Sequence, residues 1–189
     1  MNHTIKPQEQ YPDLERYLKE QQRDQPVEEA QAPPITSPSS QEPEYITFEG
    51  VQLDFQQYQF LLELYQQTNT TTEEQYQKKN ITIQDGNITK LYAPQLSIQN
   101  IPKTIGVLTQ LEGLELWENS ITSLPPEIGQ LSQLQELYLR DNHFLTLPTE
   151  IGQLPQIKEI YLHCNPLTQK AKDFLEELRI KGVTVTYDQ

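Results

Sequence analysis

LEGLELWENSITSLPPEIGQLSQ, starting at Leu111, runs without a gap into LQELYLRDNHFLTLPTEIGQLPQ from Leu134, so leucines, an asparagine, a proline and IGQL return every 23 residues. ITKLYAPQLSIQNIPKTIGVLTQ from Ile88 precedes them, and IKEIYLHCNPLTQKAKDFLEEL from Ile157 keeps the same frame as far as Leu167. No other feature constrains the fold as strongly. A unit this short cannot bury an apolar face alone, so neighbours must stack and share one interior. The expected product is an α/β solenoid: one short strand and a return arm per repeat, with the strands lined up as a curved parallel sheet that leaves a concave face open.

Within that frame the recurring residues have structural tasks. Leu114, Leu137 and Ile160, with Leu116, Leu139 and Leu162, point inward from successive strands. Ile121 and Phe144, then Leu124 and Leu147, close the interior from the far side, and Ile128, Leu131, Ile151 and Leu154 fill the outer arm. Asn119, Asn142 and Asn165 stand where the chain leaves the strand, where an amide can satisfy backbone groups turned inward. Gly106, Gly129 and Gly152 mark a tight bend or a close approach in the arm. Ala93 and Leu96 depart from the pattern in the first frame, as a terminal repeat should.

Caps are expected at both ends. Residues 45–87 read as an N-terminal cap. YITFEGVQL forms a hairpin, and Asp54 caps a helix bearing Phe55, Tyr58, Leu61, Leu62 and Tyr65. A polar loop follows over 68–80, and then ITIQDGNITKLY turns at Asp85-Gly86. Residues 88–189 hold the repeats and a C-terminal cap. That cap is a helix on Ala171, Phe174, Leu175 and Leu178, stopped at Gly182, followed by the edge strand VTVTY. Residues 1–44 are expected to be a disordered acidic tail, since APPITSPSSQEP cannot bury enough surface to order itself. Within the tail, residues 12–22 carry a helical stripe of about a dozen residues, marginal by itself; it either docks, in cis or in trans, or is transient.

Net charge is −13 and acids outnumber bases in 1–45, 46–80 and 81–189 alike, which argues against nucleic acid and anionic membranes as partners. The N-terminus lacks the apolar core of a signal peptide, and no stretch suits a membrane span. Cys164 is the single cysteine, consistent with a reducing, cytoplasmic setting. Secretion as an effector by a non-Sec route is the alternative.

Strand alternation sends the residues between the core leucines to the concave side. The resulting column contains Tyr92; Glu115 and Trp117; Glu136, Tyr138 and Arg140; and Glu159, Tyr161 and His163. Since adjacent strands lie about 4.8 Å apart, Trp117 neighbours Arg140 and Tyr138 neighbours Tyr161. Trp, Tyr and Arg are the residue types that dominate interface hot spots. Trp117 is therefore either a contact residue or a self-packed cover for the sheet. Catalysis finds less support. His163-Cys164 has no enclosed pocket or positioned base, the spacing of Cys and His fits no paired-ligand motif, and no phosphate loop is present. No catalytic residue, metal or cofactor is expected.

These motifs resemble the 23-residue class of leucine-rich-repeat proteins, LPxxIGxLxxLxxLxLxxN, a type also found in Ras-binding scaffold proteins. The DGNIT hairpin and the NPLTQKAKDFLEELRIKGV ending look like the caps of small prokaryotic members. The resemblance covers about residues 45–189. It implies a solenoid that binds a protein partner, a small GTPase among the candidates. The function expected is a non-catalytic interaction module, monomeric when free. The alternative is a structural subunit held permanently in a larger assembly and anchored by its tail.

Overall fold

The computed structural model describes residues 45–48, 51–68 and 81–188. The expected tail with its helix at 12–22, and most of the loop expected over 68–80, lie outside the described residues. The first hairpin forms from β1 (Tyr45–Phe48) and β2 (Val51–Asp54), antiparallel with Phe48 opposite Val51. Asp54 then starts α1 (Phe55–Tyr65), its carboxylate accepting the Gln57 backbone N–H at 3.1 Å, one of the donors a helix start leaves free.

α1 buries most of the face expected, with Phe55, Leu61 and Tyr65 all in the core. Phe60, Leu61, Leu64 and Tyr65 are buried, whereas Tyr58 and Leu62 are only half so. Polar bonds also tie this segment to the first repeat. Gln67 donates to the Asn100 carbonyl at 2.8 Å and accepts the Asn100 N–H at 2.9 Å, and Glu63 accepts the Thr104 hydroxyl. Gln57, 4% exposed, donates to Asn87 Oδ1 and accepts from the Ile88 N–H, both at 2.8 Å. The cap is thereby stitched to the strand that opens the ladder.

That strand belongs to the second hairpin, β3 (Ile81–Gln84) and β4 (Asn87–Tyr92), which turns through Asp85 (φ 49°) and Gly86 (φ 76°). Two successive positive φ values are what a two-residue hairpin turn needs to match strand twist. From β4 the sheet runs parallel through β5 (Gly113–Glu115), β6 (Glu136–Tyr138), β7 (Glu159–Tyr161) and β8 (Thr184–Thr186). Its register places Leu91, Leu114, Leu137, Ile160 and Val185 in one row, all buried. Ala93 does not disturb it: fully buried, it fills the position the other repeats give to leucine.

The asparagines perform the expected task. Asn119 Oδ1 accepts the backbone N–H groups of Leu96 and Ile98, while its Nδ2 donates to the carbonyls of Ala93 and Leu116. Each amide thus ties its own corner to the preceding repeat. The return arms are short 3-10 turns, Lys103–Val107, Pro126–Gln130 and Thr149–Gln153, each following an extended proline. α2 (Gln169–Ile180) replaces the fourth arm, with Thr168 as its N-cap and Gly182 at φ 94° allowing the reversal into β8. Among the described residues no helix is long and apolar enough to cross a membrane.

The recurring arm glycines mark close approach rather than a bend, since none of the three has a left-handed φ. The approach is unequal. A Cβ at Gly129 would lie 2.8 Å from Glu150 Cβ, in the next repeat, whereas at Gly152 the nearest atom is a Phe174 ring carbon at 3.4 Å. At Gly106 the obstacle is the Gln130 side-chain oxygen, which can swing aside. Gly129→Ala is therefore expected to cost about 1–3 kcal/mol by overpacking, and Gly106→Ala and Gly152→Ala much less. Denaturant unfolding of the three variants checks that order.

Candidate functional site

Residues between the core positions cover the sheet face turned away from the interior. Tyr92, Glu115, Tyr138 and Tyr161 are aligned across four strands, and Lys90, Gly113, Glu136 and Glu159 form the parallel row. Trp117, Arg140 and His163 follow two residues after the first of these rows. The predicted neighbours then separate into three groups.

Trp117 anchors the first. The Tyr92 ring meets it edge-on at 6.0 Å and 79°, the Arg140 guanidinium lies 4.8 Å over its ring, and its Nε1–H donates to Glu115 at 3.3 Å. The indole is half-buried and held on three sides. Arg140 also pairs with Glu118 at 3.5 Å and Asp141 at 3.8 Å, yet half of its side chain stays exposed. The second group is Tyr138 and Tyr161, stacked at 4.6 Å with planes 3° apart. Tyr161 donates its hydroxyl to Glu159 at 3.0 Å.

His163 belongs to a third group. Its Nδ1 lies 3.0 Å from Asp188 Oδ1, and the other carboxylate oxygen of Asp188 takes the Cys164 backbone N–H. Asp188 was missed in the sequence. The signal was present, because β8 pairs Thr186 with Tyr161 and two further residues bring 188 beside 163.

The face is electronegative. Burial, then the charge of Glu136, with Glu159 and Glu115 adding to it, raises the Tyr138 phenol above its ordinary pKa; the hydrogen bond to Glu159 does the same for Tyr161. Both stay protonated at neutral pH. Beside them Gly113 leaves a notch of about 160 Å³, lined by Lys90, Tyr92, Glu115 and Glu136 among others. The Glu136 carboxylate has no hydrogen bond or ion pair among the described residues.

The same position of each repeat takes a left-handed backbone just beyond the strand: Gln95, Glu118, Asp141 and Cys164, at φ 59°, 54°, 55° and 57°, with Ser97 at 58° in addition in the first repeat. Their side chains run along the rim of the face, with Gln95 donating to Glu118 at 2.6 Å. Cys164 thus sits at a corner, exposed, and a hydrogen bond to Asp141 pushes its thiol pKa up. That is the opposite of what activates a nucleophilic thiol. Among the described residues no three His, Cys, Asp or Glu side chains are grouped to hold a metal ion.

A family model described as a leucine-rich repeat region matches residues 62–180. No curated protein sequence matches the chain. Among solved structures, a leucine-rich-repeat protein of Leptospira interrogans is 37% identical, with a TM-score of 0.50 over 52% of this chain. The match covers 25% of that protein, so this chain spans about a quarter of its length. A pollen receptor kinase 3 structure is 23% identical over 57% of this chain and 59% of its own, with a TM-score of 0.44. The leucine-rich-repeat ectodomain of the Arabidopsis thaliana receptor kinase SOBIR1 is 19% identical over 61% of this chain and 69% of its own, with a TM-score of 0.48. The parallel ladder, the asparagine at three successive corners and a family match over more than half of the residues lead to one assignment: this chain belongs to the leucine-rich-repeat proteins.

Proposed function

We propose that the protein is a non-catalytic interaction module that takes a basic segment of a partner protein along its concave strand face, around Trp117. Membership in the leucine-rich-repeat family supports protein interaction in general; the face and the partner chemistry rest on this chain's own residues. The observation that carries the reading is the combination, on one face, of Tyr92, Trp117, Tyr138 and Tyr161 with Glu115, Glu136 and Glu159. Rings and carboxylates together suit lysine and arginine side chains, which gain from both π faces and charge. Because Arg140 already lies on the indole and between two carboxylates, its role is to orient Trp117 rather than to reach across to an acidic group. The single cysteine supports a reducing, cytoplasmic setting. The family resemblance keeps a small GTPase among the candidate partners. Residues 45–87 would serve as the cap of this module, 88–189 as its binding ladder, and 1–44 as a tail.

The test is binding of a lysine- and arginine-rich synthetic peptide by calorimetry, against an acidic peptide of equal length. Trp117→Ala should weaken the basic peptide by about 2 kcal/mol, roughly thirtyfold, and Glu136→Gln with Glu159→Gln should lower affinity and flatten its salt dependence. Equal affinity of the folded Trp117→Ala protein would remove the tryptophan from the site. Equal affinity for both peptides would remove the basic partner.

A further inference from the structure

The last strand of the sheet carries a contact that the strand-face reading does not use. β8 is the outer edge of the six-stranded sheet. Thr184 N–H bonds to the Lys158 carbonyl and the Thr186 carbonyl accepts from Leu162, so both residues turn their backbone groups toward β7. Val185, between them, must turn its N–H and C=O outward. An edge of this kind is a template for another strand unless something blunts it. Apart from its shortness the strand carries no such device of its own: Val183–Tyr187 contains no charge and no proline.

What occupies the edge is a side chain from α2. Arg179 donates to the Val185 carbonyl twice, from Nε at 2.9 Å and from Nη2 at 2.6 Å. Its position is fixed by further contacts. The guanidinium lies 4.8 Å over the Tyr187 ring, and its Nη1 is paired with Glu176. Glu176 in turn accepts the Tyr187 hydroxyl at 2.6 Å, and Lys172 Nζ lies 5.7 Å from the same ring. Lys172, Glu176 and Arg179 are spaced i, i+4 and i+7, one stripe of the helix directed at the edge strand.

We infer that this stripe is a plug, and that Arg179 closes β8 against strand addition by a second copy of the chain. Once the plug is removed, the geometry favours β8 pairing antiparallel with β8 of another molecule about a two-fold axis. Val185 then meets Val185, because a hydrogen-bonded pair in that arrangement exchanges both N–H···O bonds between the same two residues. The flanking threonines carry no charge to oppose the pairing. Two strands meeting without crossover also leave both solenoid interiors undisturbed.

The full chain tests this through Arg179→Met, which keeps an apolar stem over Tyr187 and removes every donor. Light scattering after size exclusion should show wild type monomeric and Arg179→Met dimerising with concentration, at least tenfold more tightly. Hydrogen exchange should show the Val185 amide becoming protected as the dimer fills. Lys181→Met loses the same charge and gains the same side chain beside the plug without touching Val185, and should stay monomeric. A folded Arg179→Met protein that stays monomeric overturns the proposal. So does a dimer whose Val185 amide exchanges freely, or a Lys181→Met protein that associates equally well. If the Met variant loses the α2 helix by circular dichroism, Tyr187→Leu, which unseats Arg179 without deleting it, carries the same expectations.

Discussion

Asn142→Ala is expected to lower the unfolding free energy by about 3 kcal/mol, because it strands the buried Ile121 N–H, at about 1–3 kcal/mol, and takes from the Leu116 and Leu139 carbonyls one of the two asparagine donors each has. The side chain is 3% exposed. Its Oδ1 accepts the Ile121 N–H at 3.0 Å, and its Nδ2 donates to the carbonyls of Leu116 at 2.8 Å and Leu139 at 3.1 Å. Alanine supplies neither group, and little space opens for water to replace them. Asn142→Asp keeps the acceptor but turns an oxygen toward the Leu116 carbonyl, so it should be no better than alanine at neutral pH. Asn165 makes the same bonds, to Phe144 N–H, Leu139 and Leu162, from a half-exposed corner. There water reaches the broken bonds, and Asn165→Ala should cost clearly less. Guanidinium unfolding midpoints for the three variants, at constant slope, decide the ranking. Equal costs at 142 and 165 would mean that burial does not set the energy of these corners.

The asparagine ladder was legible in the sequence for a physical reason: every repeat presents the same unpaired backbone groups, and few side chains can both donate and accept there. The row from Leu91 to Val185 was legible for a similar reason, since a shared interior fixes side-chain type at a fixed period. Positions 95, 118, 141 and 164 were not. Each has a positive φ, yet they hold Gln, Glu, Asp and Cys, because the neighbouring bonds enforce the backbone and the side chain projects to the rim. The arm glycines were noticed, but their cause lies one repeat away, in Glu150 against Gly129.

On the strand face, period alone placed Trp117 next to Arg140 and Tyr138 next to Tyr161. What it could not supply was rotamer and pairing. Adjacency allowed Arg140 to extend into solvent, but Glu118 and Asp141 draw the guanidinium back across the indole. The sequence column also ran on from Arg140 to His163, whereas His163 turns to Asp188, a residue brought near only once β8 joins the sheet as its sixth strand. His163 thus stands apart from the group around Trp117 while remaining on the same row as Trp117 and Arg140.

Phe144→Ala is expected to be the most destabilising single truncation, at about 3–5 kcal/mol. Phe144 is fully buried and is among the largest side chains in the core. Its row holds Ile98 and Ile121 in the preceding repeats and the half-buried Leu167 in the next. The aromatic therefore stands at the last full repeat, where the fourth arm is abandoned and α2 begins: Thr168, its N-cap, is bonded to the Leu145 carbonyl at 2.9 Å. Extra volume is needed there because no regular arm follows to pack against it. Phe144→Leu, which matches the aliphatic row, should cost under about 1.5 kcal/mol if the surroundings settle onto the smaller side chain. Since each repeat is supported chiefly by its neighbours, the void should also weaken coupling along the ladder. Hydrogen exchange in Phe144→Ala should then accelerate in β7 and α2 more than in α1. Uniform acceleration through the chain would show instead that the solenoid unfolds as one unit and that Phe144 sits at no special junction.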